Sequence, residues 1–426
     1  MKRYLNPFDI YVEPDFSISV FASELNSPGS ILITDNNKMY ITDTGELTGE
    51  PKLLLYENGK FESIAEGFNT PITGITYRFG KIFVSHRGSI TIVDENGTQK
   101  NIVQGLPCQG DFPNSNVTFR SDNRLFFGIG TATNSGVVGL DNKWVINHPY
   151  FHDKPGDNII VFGQNFESYN YINHSKEPVL TGAFSSFGEM NFPYEQKKGT
   201  LLASGSILSC NPDGTDIQLY AWGFRNISSL NFGYYDRLFA CNNGYDERGS
   251  RPIANASDDF YHVEPGVWYG WPDFSAGMPV TSPKFDTIYN QKIELLISNP
   301  PNIPPRPITT FPNGTNLKGF LVNEYREFGN IGDIFITEYG GTTIKQQYYG
   351  RKISKINTIS GETTTFAMNK SGNSLYSTTG GFGRPSDLAF DTEGDLYVID
   401  SGINNLNNSH CLLSNTGVIW KISRER

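Results

Sequence analysis

The chain has 426 residues, of which 18% are charged and 13% are aromatic, and it contains 44 glycines and 24 prolines. Its formal net charge of −10 excludes the proteins that bind nucleic acids or anionic membranes through a dense basic surface. The N-terminal segment lacks the apolar run of a signal peptide or a membrane span. We therefore expect synthesis in the cytoplasm, with release by a non-classical route left open, and neither a nucleic-acid nor a membrane partner.

One pattern recurs six times along the chain: an apolar strand, a polar turn, a second apolar strand and a Gly-terminated loop. The first two intervals between copies are 43 residues each, which is the length of one four-stranded propeller blade. The repeat predicts an all-β fold, a six-bladed β-propeller of four-stranded antiparallel blades. The central apolar residues of the six copies are Met39, Ile82, Leu125, Leu238, Ile334 and Leu396.

A second pattern follows several of these copies, a strand pair folded over an Asn-Gly or Asp-Gly turn. KLLLYENGKFESIAEG from Lys52 and SILSCNPDGTDIQLYAWG from Ser206 are two examples. Asn-Gly and Asp-Gly turns are typical of tight β-hairpins. We expect these pairs to form the outer hairpins of the blades, and the nearly continuous apolar strands to lie inside, between neighbouring sheets.

A propeller ring must be closed between its first and last strands, which also removes open sheet edges. The N-terminal FSISVFAS at 16–23 and the C-terminal GVIWKIS at 417–423 have the pattern of such a pair. We expect them to pair and residues 1–426 to form a single domain, because a ring can grow beyond the usual limit of one core.

The later intervals between copies are longer, so blades three and four carry long loop insertions. These run roughly over 139–198 and 243–310 and are rich in aromatic residues, Asn, Pro and Gly. Insertions on a rigid scaffold commonly carry function.

The loops that enter each innermost strand and leave each second strand meet at one end of a propeller channel. We predict that five of them converge there: 84–88, 130–136, 223–226, 242–249 and 383–387. They contain the chemically capable side chains His86, Arg87, Arg225, Asp246 and Arg384.

Several motifs, in the same order along the chain, resemble the PQQ-dependent glucose/sorbosone dehydrogenase family of soluble quinoprotein sugar dehydrogenases. They are, from the N-terminus, FFGIGTATNSGVVGLDN from Phe126, AWGFRN from Ala221, RLFACNNGYDERG from Arg237, WYGWPDF from Trp268 and GRPSDLAFDTEGDLYVIDSG from Gly383. The similarity extends over nearly the whole chain.

The resemblance implies an oxidoreductase that binds pyrroloquinoline quinone (PQQ) and calcium on one face and oxidises sugars or polyols. In that chemistry a histidine accepts a proton while hydride passes to the quinone. The matched positions are, for the cofactor, Arg225, Asn226 and Arg384, and, for calcium, Gly244, Tyr245 and Asp246.

The chain departs from the family at three other positions. Phe112 stands where the family has its histidine after Gly-Asp, and a phenyl ring cannot accept a proton. The second cofactor arginine is replaced by Ser386, and Glu338 lies where a lysine is expected, which we interpret as a negative charge near the cofactor. His86 is a weak substitute for the missing base, and the other interpretation is a hydrogen-bonded loop histidine.

Two hypotheses follow from these matches and departures. One is a quinone-dependent sugar or polyol dehydrogenase with a degraded active site. The other is a catalytically inactive propeller with a binding, structural or self-assembly role. Arg225 fits either a ligand contact or a structural clamp between blades, and the cluster around Trp268 and Trp271 fits either a sugar platform or a wedge that holds the insertion.

Overall fold

The computed structural model confirms the six-bladed propeller. It describes residues 2–170, 172, 177–288, 292–343, 346–373, 379–405 and 408–425, with the side chains of 408–410 excepted. Six antiparallel sheets surround a central channel, and each innermost strand is adjacent to those of the two neighbouring blades. No helix in these ranges is long and apolar enough to cross a membrane. The helices are short 3-10 turns: Pro7–Asp9, Lys143–Ile146, Tyr234–Asp236, Pro283–Phe285 and Arg326–Phe328.

The first three blades follow the chain from the channel outward. Blade one has strands Pro28–Ile33, Met39–Asp43, Lys52–Glu57 and Lys60–Glu66; blade two has Ile72–Arg78, Lys81–His86, Ser89–Val93 and Gln99–Gln104; blade three has Asn114–Phe119, Leu125–Ile129, Ser206–Cys210 and Gln218–Trp222.

The last three blades include both chain ends. Blade four has strands Asn226–Phe232, Leu238–Asn243, Asp258–Val263 and Thr309–Phe311; blade five has Leu317–Val322, Ile334–Glu338, Lys352–Ile356, Thr363–Asn369 and a fifth strand, Ile10–Val12; blade six has Pro385–Phe390, Leu396–Asp400, Gly417–Arg424 and Phe16–Leu25. The strand Phe16–Leu25 pairs antiparallel with Gly417–Arg424. The fifth strand of blade five is an addition to the predicted four.

The second strand of a blade is buried on both faces because it packs between neighbouring sheets. All five residues of Met39–Asp43, Leu125–Ile129, Ile334–Glu338 and Leu396–Asp400 are buried. The apolar side chains of the described residues form one cluster between each pair of adjacent blades. The nearly continuous apolar pattern of these strands therefore encodes the blade-to-blade contacts.

The predicted outer hairpins are present. Lys52–Glu57 and Lys60–Glu66 pair across Asn58 and Gly59, which have φ values of 52° and 82°. Two positive φ values at the centre of a two-residue loop are the requirement that Asn-Gly satisfies.

The two insertions share a core of their own. The first, within 130–205, separates the second and third strands of blade three, and the second, within 264–308, precedes the last strand of blade four. The range predicted for the second, 243–310, was too long, because it included the third strand of blade four, Asp258–Val263. A seventh apolar cluster joins them and is built around Phe184, Trp268, Trp271 and Phe285, all at most 3% exposed. Short strand pairs lie within them: Ile159–Ile160 with Gln196–Lys197, Asn165–Tyr169 with Pro178–Gly182, and Phe274–Ser275 with Met278–Pro279.

Candidate functional site

The central channel contains a polar cavity of about 390 Å³. Each innermost strand breaks register with its neighbour near its first residues, for example between Asn114 and Val117 and between Leu317 and Phe320. Such bulges re-aim side chains and leave backbone groups free for other contacts. The neutral polar side chains in the lining are Ser30, Thr44, Thr73, Thr76, Asn114, Ser115, Asn116, Thr118, Asn226, Ser228, Ser229, Asn231, Ser386 and Ser401.

Three of the five predicted loops reach this cavity. They contribute Arg87, Asn226 and Ser386 to its lining. In the structure's described part, the loops 130–136 and 242–249 do not line it and instead contact Arg225 through Asn134 and Asp246. The predicted convergence is therefore correct for the loops 84–88, 223–226 and 383–387. The loops 130–136 and 242–249 contact Arg225 beside the channel instead of lining the cavity.

Phe112 and Arg225 contact each other beside the channel. Phe112 lines the cavity, and the Arg225 guanidinium carbon lies 4.5 Å from the centre of its ring. Arg225 is 3% exposed, and its Nε and Nη2 donate to Asn134 Oδ1 at 3.0 Å and to Asp246 Oδ2 at 2.6 Å. The guanidinium is thus held by an aromatic face, an amide and a carboxylate, as the structural-clamp interpretation requires.

Asp246 belongs to a charged network rather than to an open turn. Its carboxylate accepts from Arg225 and, at 3.3 Å, from Arg248 Nε. Arg248 also binds Asp141 and, at 2.7 Å, Asp111 Oδ2. Desolvation alone would raise the pKa of Asp246, but the charges of Arg225 and Arg248 outweigh it and lower that pKa.

The same turn does not fit a calcium ion. Calcium takes six to eight oxygen ligands, whereas two arginines already bind the Asp246 carboxylate, and the Tyr245 carbonyl accepts from Asn313 Nδ2 at 2.9 Å. The Gly244 amide donates to Asp258 Oδ1 at 2.8 Å, which fixes the turn through the protein itself. Among the described residues, no group of three or more His, Cys, Asp or Glu side chains is arranged to hold a metal.

Arg384 does not present its charge to the cavity. The side chain is fully buried, with Nε donating to Asn404 Oδ1 at 2.7 Å and Nη1 to the carbonyls of Tyr339 and Gly340. Burial lowers the pKa of Arg384, opposed by Tyr339 and Asp400. Its Nη2 is buried and lacks a hydrogen-bond partner, but Arg384 is not among the described residues that line the channel cavity. In this arrangement the side chain does not fit the role of holding a PQQ carboxylate in that cavity.

Glu338 was interpreted as a negative charge near the cofactor, and this prediction is wrong. The side chain points outward from its strand, accepting from Ser354 Oγ at 2.5 Å with Lys352 Nζ at 3.4 Å. Burial raises the pKa of Glu338, opposed by Lys352. Strand alternation sends Glu338 and Tyr339 to opposite sides, and Tyr339 is the residue in the channel lining.

The cation that sequence reasoning missed is Lys318. It lies in the bulge of blade five's innermost strand, lines the cavity, and has its Nζ 5.5 Å from the centre of the Tyr339 ring. Lys318 and Arg87 are the cationic side chains in this lining, which also contains the carboxyl groups of Glu46, Asp111 and Asp387. The sequence signal that could have identified Lys318 was its position next to Gly319, at the start of an innermost strand.

His86 was proposed as a substitute base projecting into the channel mouth, and that orientation is wrong. It lines a separate cavity on blade two, where Nδ1 accepts from the Asn69 amide at 3.0 Å and Nε2 lies 2.8 Å from Thr91 Oγ1. The backbone N–H of Asn69 can only donate, so Nδ1 is the acceptor, and Nε2 carries the proton and donates to Thr91. Burial lowers the pKa of His86 to about 4.

Several solved structures, sugar dehydrogenases among them, are similar to this chain, whereas no family model and no curated protein matches it. The holo PQQ domain of pyranose dehydrogenase from Coprinopsis cinerea has a TM-score of 0.58 at 14% identity, over 99% of this chain and 98% of that one. PQQ-bound aldose sugar dehydrogenase from Streptomyces coelicolor has a TM-score of 0.54 at 14% identity, over 97% and 99%. A calcium structure of a family AA12 enzyme from Trichoderma reesei has a TM-score of 0.57 at 14% identity, over 97% of each chain. At these identities the likeness shows the fold.

Proposed function

We propose that this propeller binds a small neutral hydroxylated ligand, a sugar or a polyol, in its channel and does not carry out quinone-dependent oxidation. The observation that carries the proposal is the contact between Phe112 and Arg225. A phenyl ring stands where the resemblance implies a proton-accepting histidine, and the adjacent guanidinium is already bound by that ring and by Asp246.

The channel lining supports a neutral hydroxylated ligand. Amide and hydroxyl side chains donate and accept hydrogen bonds without adding charge. Ser228, in the bulge of blade four's innermost strand, has a buried hydroxyl that lacks a hydrogen-bond partner. A ligand hydroxyl can supply that partner.

The second candidate is a quinone-dependent oxidoreductase on sugars or polyols. Two observations favour it: the architecture is shared with PQQ-bound sugar dehydrogenases, and Asn226 lines the channel with Arg225 beside it, against Phe112. It requires Arg384 and Arg225 to exchange their internal partners for the cofactor.

Calorimetric titration of the protein with PQQ in the presence of calcium, followed by a dye-linked assay on aldoses and polyols, separates the two candidates. We expect no PQQ binding and no dye reduction in the wild type. Dye reduction would establish the second candidate. The variant Phe112→His tests the missing base alone and is expected to stay inactive, because Arg384 remains bound to backbone carbonyls.

Titration with glucose, sorbitol and glycerol tests the binding role directly. We expect one of them to bind without cofactor, and Asn226→Ala to weaken that binding about tenfold through loss of a buried hydrogen bond. A channel that binds none of these ligands contradicts the proposed function.

A further inference from the structure

A further cavity, of about 480 Å³, lies between the two insertions, separate from the channel and from the cavity that His86 lines. Gln164 and Phe166 line it from the first insertion, and Lys292 and Ile293 from the second. Arg251 joins them from the loop that follows the second strand of blade four. Its volume falls within the range of small-molecule sites, roughly 300–1,000 Å³.

Unpartnered polar atoms are concentrated at this cavity. Ten buried side-chain polar atoms of the described residues lack a hydrogen-bond partner, and three of them, Gln164 Oε1, Ser250 Oγ and Arg251 Nε, belong to lining residues. Buried polar atoms are nearly always paired, and each exception requires an explanation. An absent ligand explains three exceptions together.

The remaining bonds of these side chains fix what they offer. Gln164 Nε2 donates to the Leu295 carbonyl at 2.9 Å, so its Oε1 is left as an acceptor. Arg251 is 2% exposed, and its Nη1 and Nη2 bind the Pro272 carbonyl at 2.7 Å and Asp273 Oδ1 at 2.9 Å, so its Nε–H is left as a donor. An acceptor, a donor and a hydroxyl together match a ligand that carries hydroxyl groups, since a hydroxyl both donates and accepts.

The charges and the apolar surface of the cavity lining restrict the chemical class of the ligand further. The lining carries two cations, Arg251 and Lys292, and two anions, Glu167 and Glu294, which favours a neutral ligand. Phe166 and Ile293 provide apolar surface for the C–H face of a ring. We infer that this cavity is a second binding site, for a neutral saccharide, and that it is independent of the channel.

Isothermal titration calorimetry with maltose and cellobiose tests this inference. It is done on the full chain carrying Asn226→Ala, which is expected to weaken binding in the channel about tenfold and so to separate it from binding at this cavity. The test variant is Ser250→Ala, which deletes an unpartnered hydroxyl and breaks no internal hydrogen bond. We expect at least one disaccharide to bind and Ser250→Ala to weaken it about tenfold, the size of one hydrogen bond.

Ser168→Ala is the matched control, because Ser168 also has a buried unpartnered hydroxyl on the first insertion but does not line the cavity. It is expected to leave the affinity unchanged. Gln164→Leu is the second test variant, with thermal unfolding to verify that it folds. The inference is overturned if neither disaccharide binds, or if Ser250→Ala and Gln164→Leu bind as tightly as Ser168→Ala. Failure of the channel proposal is distinct, because it would show as no effect of Asn226→Ala on glucose binding.

Discussion

The Arg225 guanidinium lies 4.5 Å from the Phe112 ring centre and 2.6 Å, through Nη2, from the Asp246 carboxylate. Phe112 precedes the innermost strand of blade three, whereas Arg225 immediately precedes that of blade four. The contact therefore joins two adjacent blades beside the channel. The Phe112 ring thus has a structural contact at the position where the resemblance led us to expect a proton acceptor.

Phe112→Leu is expected to destabilise the fold. Leucine keeps most of the apolar volume but removes the ring face, and a shielded cation–π contact contributes about 1–2 kcal/mol. Urea denaturation measures the change in the free energy of unfolding. Phe79→Leu is the control, because Arg78 lies 5.5 Å from the ring of a residue that is 54% exposed, and it should cost about 0.5–1 kcal/mol. Equal losses in both variants would contradict the contact's contribution.

Asp246→Asn is expected to destabilise the fold by about 1–2 kcal/mol at pH 7, discounted because the carboxylate side chain is 45% exposed. The folded-state pKa of Asp246 is lowered. Its contribution is therefore fully present above the unfolded value of about 3.9 and is lost as the pH falls through the folded value.

Denaturation of the wild type and Asp246→Asn from pH 7 to pH 2.5 tests this sign. The two free energies of unfolding should converge at the acid end. Asp122→Asn, at an exposed pair with Arg120, should stay within about 0.5 kcal/mol of the wild type throughout. A difference that persists at the lowest pH would show that Asp246 acts through packing instead of charge.

The sequence predicted the blades because each second strand is buried on both faces and leaves an apolar run that repeats. Side-chain direction at the strand ends was less predictable. Glu338 ends such a strand, so a shift of one residue decides whether it or Tyr339 enters the channel. The partners of Arg225 and Arg384 come from loops distant in the chain, and no local pattern marks them.

Gly319→Ala and Gly74→Ala are each expected to destabilise a blade-to-blade contact. A Cβ at Gly319 would lie 2.2 Å from Asp387 Oδ1 and 2.7 Å from the Asp387 Cα, and one at Gly74 would lie 2.2 Å from the Asn116 Cβ. Backbone lies too close for relaxation, so overpacking should cost at least about 1–3 kcal/mol, read from chemical denaturation.

Gly105→Ala separates this steric effect from backbone strain. Gly105 has a φ of 74° and open space around its Cβ position. Alanine there should cost only about 1–2 kcal/mol for the left-handed conformation. If the exposed variant proved more damaging than Gly319→Ala, the close approach of blades five and six would not be the constraint.

His86→Gln is expected to remove part of the acid sensitivity of the fold. The folded-state pKa of His86 is about 4, below the unfolded value of about 6.5, so the unfolded chain binds a proton that the folded chain does not. The neutral His86 therefore contributes to the free energy of unfolding in full above pH 6.5, and this contribution is lost as the pH falls towards 4. The loss is about 3 kcal/mol at most.

The measurement is the free energy of unfolding of both proteins at pH 7.5, 6 and 5. Glutamine does not titrate, so the difference between the proteins should shrink or reverse as the pH falls, while the buried carboxyls common to both cancel. His148→Gln is a suitable control, since this histidine lies on the first insertion, away from the cavity of His86. A difference independent of pH would mean that burial does not hold His86 neutral in the folded protein.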